Sequence, residues 1–230
     1  MNKQSSNKRL FILELIFYVL LPYALWNFGR EPLGDYIAML VSTVPGIIYT
    51  IYRFILDKQF NLIGVFILGS LSLGMTVNLL SGSAEQMIWN GVYLSLFYTC
   101  IYLVTFLIKR PLSLYFAVEF TYLQGYARED SKALFYKKGI FYWFQVIQIV
   151  FIIRGIFLAA LTVFLLEKHG IDRYGSMIIN KQIAGWVFSI IVIGMYFYID
   201  VIVRRYFSKQ QMQHKENNNG EILQSKVMVE

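Results

Sequence analysis

The sequence predicts an all-α membrane protein: a six-helix transmembrane bundle with an interfacial cytoplasmic helix. Three observations carry that expectation. The chain is too apolar to present a water-facing surface: of 230 residues, 57% are hydrophobic and 15% charged, against roughly 25% charged in soluble domains, and mean hydropathy is +0.52. The apolar residues fall into six continuous stretches, each close to the roughly 20 helical residues that cross a hydrocarbon core of about 30 Å. The basic residues gather at alternate ends of those stretches. Other classes are excluded on the same grounds. The 17 Tyr, 19 Phe and 4 Trp are foreign to a disordered chain, and the single Cys100 forbids a disulfide scaffold. Barrel strands would be about 10 residues long with alternating polarity.

Residues 1–9 are expected to be a cytoplasmic N-terminus, carrying Lys3, Lys8 and Arg9. The first stretch, 10–28, follows a basic segment as a signal peptide would. It is longer than a typical signal h-region and lacks a small-x-small cleavage site, so it reads as an uncleaved helix. The second, 36–52, is interrupted by Pro45, which is tolerable because neighbouring helices can satisfy the freed carbonyl. The third, 62–80, holds Gly64, Gly69 and Ser70-x-x-x-Gly74, residues small enough for close helix approach. The fourth, 89–108, includes Thr99 and Cys100. The fifth, 140–166, contains Arg154 directly before Gly155-x-x-x-Ala159, and the sixth is 183–207. Residues 208–230, with Asn217-Asn218-Asn219-Gly220, read as a disordered cytoplasmic tail. Alternate connecting segments hold sixteen and four basic residues, with Arg154 left over. The positive-inside rule then puts both termini in the cytoplasm. Charges placed at the ends of apolar runs, rather than on one globular face, argue against nucleic acid as a partner.

Between the fourth and fifth stretches, Lys109-Arg110 precede Pro111 and an aromatic-rich run that carries Glu119 and leads into Arg128-Glu129-Asp130. A basic pair, a proline at a helix start and such a run suggest an interfacial helix over 111–126. The alternatives are a continuation of the fourth helix past the membrane surface and a re-entrant loop. Both main readings give a basic, aromatic platform. Its candidate contacts for anionic lipid are Lys109, Arg110, Arg128, Lys132, Lys137 and Lys138, each contributing about 1 kcal/mol near such a surface.

A charge inside the bilayer costs about 2.5–3.5 kcal/mol on insertion scales, so each one asks for a partner or a purpose. Arg154 lies near the middle of the fifth stretch, either contacting a substrate in a bundle cavity or held in a structural pair. Glu14, five residues past Arg9, and Asp200, four before Arg204, are the acids that complete a candidate intramembrane polar site. Counted from 140, Arg154 is expected about 10 Å deeper than either acid at about 1.5 Å per residue. The bland alternative pairs both acids with interfacial arginines. Gln145 and Gln148 share a helix face and read as interhelical glue.

The two histidines, His169 and His214, lie outside the stretches, so neither a metal site nor another cofactor is expected. No phosphate-binding loop or nucleophile elbow is present, and the chain is not read as an enzyme.

Leu33-Gly34-Asp35-Tyr36 with Pro45, the turn from Arg53 to Asn61 into Leu62-Ile63-Gly64-Val65, and Lys109-Arg110-Pro111-Leu112-Ser113-Leu114-Tyr115 resemble the bacterial intracellular septation protein A-like family of multi-pass membrane proteins, over roughly residues 10–200. The resemblance implies six spans, an inner-membrane location and a link to envelope or septum formation. Two functions are therefore expected: a non-enzymatic envelope factor acting through the lipid bilayer, anionic lipids, other membrane proteins or a homodimer, or a small permease with a cavity around Arg154.

Overall fold

A computed structural model describes residues 12–56 and 62–227, with side chains for 12–56 and 63–205. The N-terminal segment 1–9, with Lys3, Lys8 and Arg9, lies outside the described residues. The described residues form eight helices, and no strand occurs among them. They are α1 (Ile12–Leu33), α2 (Asp35–Leu56), α3 (Leu62–Leu79), α4 (Ala84–Leu107), α5 (Leu112–Leu123), α6 (Arg128–Phe135), α7 (Lys138–His169) and α8 (Tyr174–Val227).

Five of these helical runs are long and apolar enough to cross a membrane: α1, α2, α4, α7 and the run Ile171–Arg205 that contains most of α8. The expected six spans thus reduce to five plus α3, whose apolar run Ile63–Leu79 falls short of the others. Such a set is compatible with a multi-pass membrane protein. The bundle exterior agrees: Val65, Ile190 and Phe197 are each about two-thirds or more exposed, at 68%, 70% and 68%, and apolar surface on this scale is stable only against another apolar phase.

Local sequence sets the helix boundaries. Pro22 has no N–H, and its ring crowds the carbonyl four residues earlier. The turn before it widens into a π segment, Ile16–Leu20, with the Leu21 N–H donating to the Ile16 carbonyl. Gly34, at φ 75°, stops α1 after Leu33. Ser83 caps α4 by accepting from the Gln86 N–H at 3.1 Å. Lys109 ends α4 at φ 55°, the only positive φ outside glycine among the described residues. The Lys109 N–H donates to Phe106 O at 3.1 Å and the Arg110 N–H to Thr105 O at 2.9 Å, the pairing of a left-handed helix cap. Pro111 follows and α5 starts at Leu112, where a proline belongs.

The expected segment 111–126 holds one helix, α5, ending at Leu123. Gly125, φ 96°, turns the chain after it, and the charged residues beyond open the short α6. The polar stretch expected to link the last two spans is itself helical, because Gly170 at φ 63° turns the chain in one residue and a 3₁₀ turn, Ile171–Arg173, leads into α8. The backbone of α8 continues to Val227, through residues the composition assigns to a disordered tail. That segment has no proline and is rich in Gln, Lys and Glu, which are good helix formers.

The spanning helices close into a ring in the order α1, α2, α4, α7, α8 and back to α1, with α3 packed outside against α2, α4 and α5. One end of the ring is filled by Trp26, Ala38, Met39, Ala84, Met87, Ile88, Leu165, Leu166 and Met177, drawn from all five ring helices. Nearby, Arg30 donates to Asp35 at 2.5 Å and also to Asp172, tying the turn after α1 to the turn before α8. At about 1.5 Å per residue, α7 with 32 residues is about 48 Å long, against about 33 Å for α2 with 22. The excess projects at the opposite end, together with α8. There α5 and α6 pack against it through Leu114, Val118, Phe135, Phe144, Ile147 and Val192. Helices in lipid gain little from the hydrophobic effect and rely on close packing and hydrogen bonds. The α4–α7 contact shows this: a Cβ placed on Gly155 would lie 1.9 Å from Thr99 Oγ1.

Candidate functional site

Two polar regions stand out. The first is the junction of α4, α5, α7 and α8. Gln148 is fully buried, and its Oε1 accepts from the Ser113 N–H at 3.1 Å while its Nε2 donates to Tyr102 O at 2.9 Å and Thr105 Oγ1 at 2.8 Å. Ser113 Oγ donates to Phe144 O at 2.8 Å, and the Tyr196 hydroxyl donates to Ser113 O at 2.9 Å. These bonds satisfy the first turn of α5 and fix it to the three longer helices. Gln148 is glue, as its position suggests; its face-mate Gln145 has a buried Oε1 with no partner. Ser113 carries no sequence signal beyond its place after Lys109-Arg110-Pro111.

The basic platform surrounds this junction. Glu119, buried on α5, accepts two hydrogen bonds from Arg128, at 2.9 and 3.0 Å. That hydrogen bond to Glu119 raises the guanidinium's pKa above its ordinary value, and Arg128 lies 3.7 Å from the Tyr122 ring centroid. Arg128 is therefore committed to an internal pair and is the member of the predicted lipid set least able to hold a headgroup. Lys132 Nζ stands 5.6 Å over the Tyr115 ring, and the Tyr115 and Tyr136 hydroxyls are 3.4 Å apart. Burial, and then the bond to Tyr115, pushes the Tyr136 hydroxyl up to about 12, with Arg110 opposing the shift. Lys109, Arg110, Lys137 and Lys138 are exposed. On α5 and its following turn, Phe120, Tyr122, Leu123 and Tyr126 are exposed as well.

The second region is the middle of the ring. Arg154 is half-buried on α7, its Nε is buried without a hydrogen-bond partner, and it takes part in none of the ion pairs among the described residues. Its Nη2 lies 3.8 Å from where a Cβ on Gly185 of α8 would stand. Asp200 does not join it: that carboxylate accepts from Arg204 Nε at 2.8 Å, an exposed pair one turn apart. Glu14 is half-buried on α1 and forms no hydrogen bond or ion pair among the described residues. Among the described residues no three His, Cys, Asp or Glu cluster at metal-binding spacing.

Compared with protein-family models, with curated proteins and with solved structures, the chain finds no match.

Proposed function

We propose that the chain is a six-span, non-enzymatic protein of the bacterial inner membrane, with both termini cytoplasmic, that holds anionic phospholipid through the surface built on α5, α6 and the start of α7. A role in envelope or septum maintenance follows from its resemblance to septation protein A-like proteins. In this reading α3 is the sixth span, its 18 residues giving about 27 Å of helix, and α5 lies at the cytoplasmic headgroups. The observation that carries the proposal is that this surface exposes Lys109, Arg110 and Lys138 and also, on α5 and the turn after it, Phe120, Leu123 and Tyr126. Cations beside aromatic and aliphatic groups suit an interface of phosphates and acyl chains. The test is lipid retention by the full chain in nanodiscs that mix phosphatidylglycerol and phosphatidylcholine. Enrichment of phosphatidylglycerol in the wild type, lost when Lys109, Arg110, Lys132 and Lys138 are changed to Gln, supports the proposal. Equal retention of both lipids by the wild type defeats it.

A second reading, a small permease, is favoured by one observation: the unpartnered Arg154 Nε inside a spanning helix. Solute flux into proteoliposomes that persists unchanged in a well-expressed Arg154→Ala protein would remove it.

A further inference from the structure

Arg154 and Glu14 stand at one depth, on either side of α8. The levels follow from the helices' own register. The Arg30–Asp172 pair marks one end of the ring. Trp26 meets Tyr174 with ring centroids 5.1 Å apart, and a Cβ on Gly175 would lie 2.8 Å from the Tyr23 ring, so α1 and α8 run antiparallel in close contact. Phe157 meets Phe188 at 5.7 Å and Trp143 meets Tyr198 at 4.7 Å, which fixes α7 against α8 in the same way. Glu14 is sixteen residues from Arg30, Gly185 thirteen from Asp172, and Arg154 fifteen from His169. At about 1.5 Å per residue these spacings are about 24, 20 and 22 Å, within one helical turn of each other. The sequence spacing from 140 suggests a deeper Arg154 because it overlooks how far α7 projects beyond its neighbours.

Two details turn this coincidence of level into a site. The π segment Ile16–Leu20 begins two residues after Glu14 and packs against α8 and α2; such insertions recur at functional positions. Gly185 keeps the α8 surface beside Arg154 free of any side chain, the arginine Nη2 being the one heavy atom within 4 Å of its Cβ position. The charges are opposite, both lie in spanning helices, and neither forms an ion pair among the described residues, Arg154 having only the Tyr102 phenol as an electrostatic neighbour there. A neutral ligand bearing both signs would compensate both groups at once, whereas an anion would leave Glu14 uncompensated.

From this geometry we infer that Glu14 and Arg154 form one binding site for a zwitterion, with the anionic group at Arg154 and the cationic group at Glu14, past the gap left by Gly185. It deepens the permease reading by naming a ligand class, and it is independent of the cytoplasmic platform. The zwitterion is either a phospholipid headgroup or a soluble molecule of the same chemistry. Both are tested on the full chain in phosphatidylglycerol nanodiscs, by retention of added phosphatidylethanolamine and by thermal shift with glycerophosphoethanolamine.

The wild type is expected to retain phosphatidylethanolamine. Retention should fall about tenfold, equivalent to about 1.4 kcal/mol, in each of Glu14→Gln and Arg154→Gln. Gly185→Val, which fills the gap and keeps both charges, should lose retention with its thermal transition intact. A shift with the soluble probe identifies a water-borne ligand; retention of the lipid alone identifies a headgroup. The Glu14→Arg/Arg154→Glu double variant separates ligand binding from direct pairing: restored thermal stability with no probe bound in the wild type means the two residues pair with each other and overturns the inference. Equal retention in the wild type and both single variants overturns it as well. Binding without flux defeats the permease reading and leaves the site standing.

Discussion

A methyl group on Gly155 would collide with Thr99, the closest such approach at any glycine among the described residues. Gly155→Ala is expected to force α4 and α7 apart and to cost about 1–3 kcal/mol, the range for overpacking a close contact. A lowered thermal transition in detergent would show it, and Thr99→Ala should recover part of the loss by removing Oγ1 and Cγ2. At Gln148 the expected effect is local. Gln148→Leu orphans the Ser113 N–H and costs about 1–3 kcal/mol for a buried group left unpaired, read as faster hydrogen exchange in α5 with α1 and α2 unaffected. Tyr136 makes a pH prediction. Its hydroxyl titrates near 12 in the fold, against 10.0 ordinarily. A raised folded value means that stability present below pH 10 is lost as pH climbs towards 12. An absorbance titration of the wild type minus that of Tyr136→Phe should isolate a late tyrosine transition. Arg154, Glu14 and Gln148 were all legible at this scale, since polar groups in apolar runs announce themselves. The Arg30–Asp35–Asp172 cluster was not, because it joins turns 142 residues apart and nothing local signals their meeting.

Among the elements, α5 and its α4 cap show what a proline and two cations dictate. Lys109 occupies a left-handed position where glycine is the usual residue, and a side chain there costs about 1 kcal/mol. Lys109→Gly is expected to raise the thermal transition by a few degrees; if the platform holds lipid as proposed, it should also reduce phosphatidylglycerol retention. A variant that gains stability and keeps its lipid would show that the side chain has no part in the surface. The start of α5 at Pro111 could be read from sequence because proline fits a first turn. Its end falls at Leu123, three residues before the expected 126, because Gly125 turns the chain at φ 96°. The ends of α7 and α8 were misjudged for a physical reason. Hydropathy marks where a chain is apolar, whereas the backbone ladder continues through Lys138, Lys168 or Asn180 wherever no proline or left-handed residue stops it.

For the whole molecule, the alternation of basic residues predicts that the Gly82 turn and the α5–α6 turn face opposite sides of the membrane. In a Cys100→Ser background, single cysteines at Ser83 and Asp130 should react with an impermeant thiol reagent from outside and from inside, respectively. Reaction of both from one side contradicts the proposed topology. The pattern of runs and charges revealed a helical bundle, but not the order of helices around it. That order depends on which faces carry Gly155, Gly175 and Gly185, and on side chains that meet only after folding.

Because α1 touches α8, the ring has a seam that only the final helix can close. During synthesis the first helix enters the bilayer long before its last neighbour leaves the ribosome. Until then Glu14 and Arg154 face whatever the translocation machinery or surrounding lipid provides. A chain ending before Ile171 therefore keeps most of these helices but leaves the flanks of α1 and α7 that meet α8 uncovered.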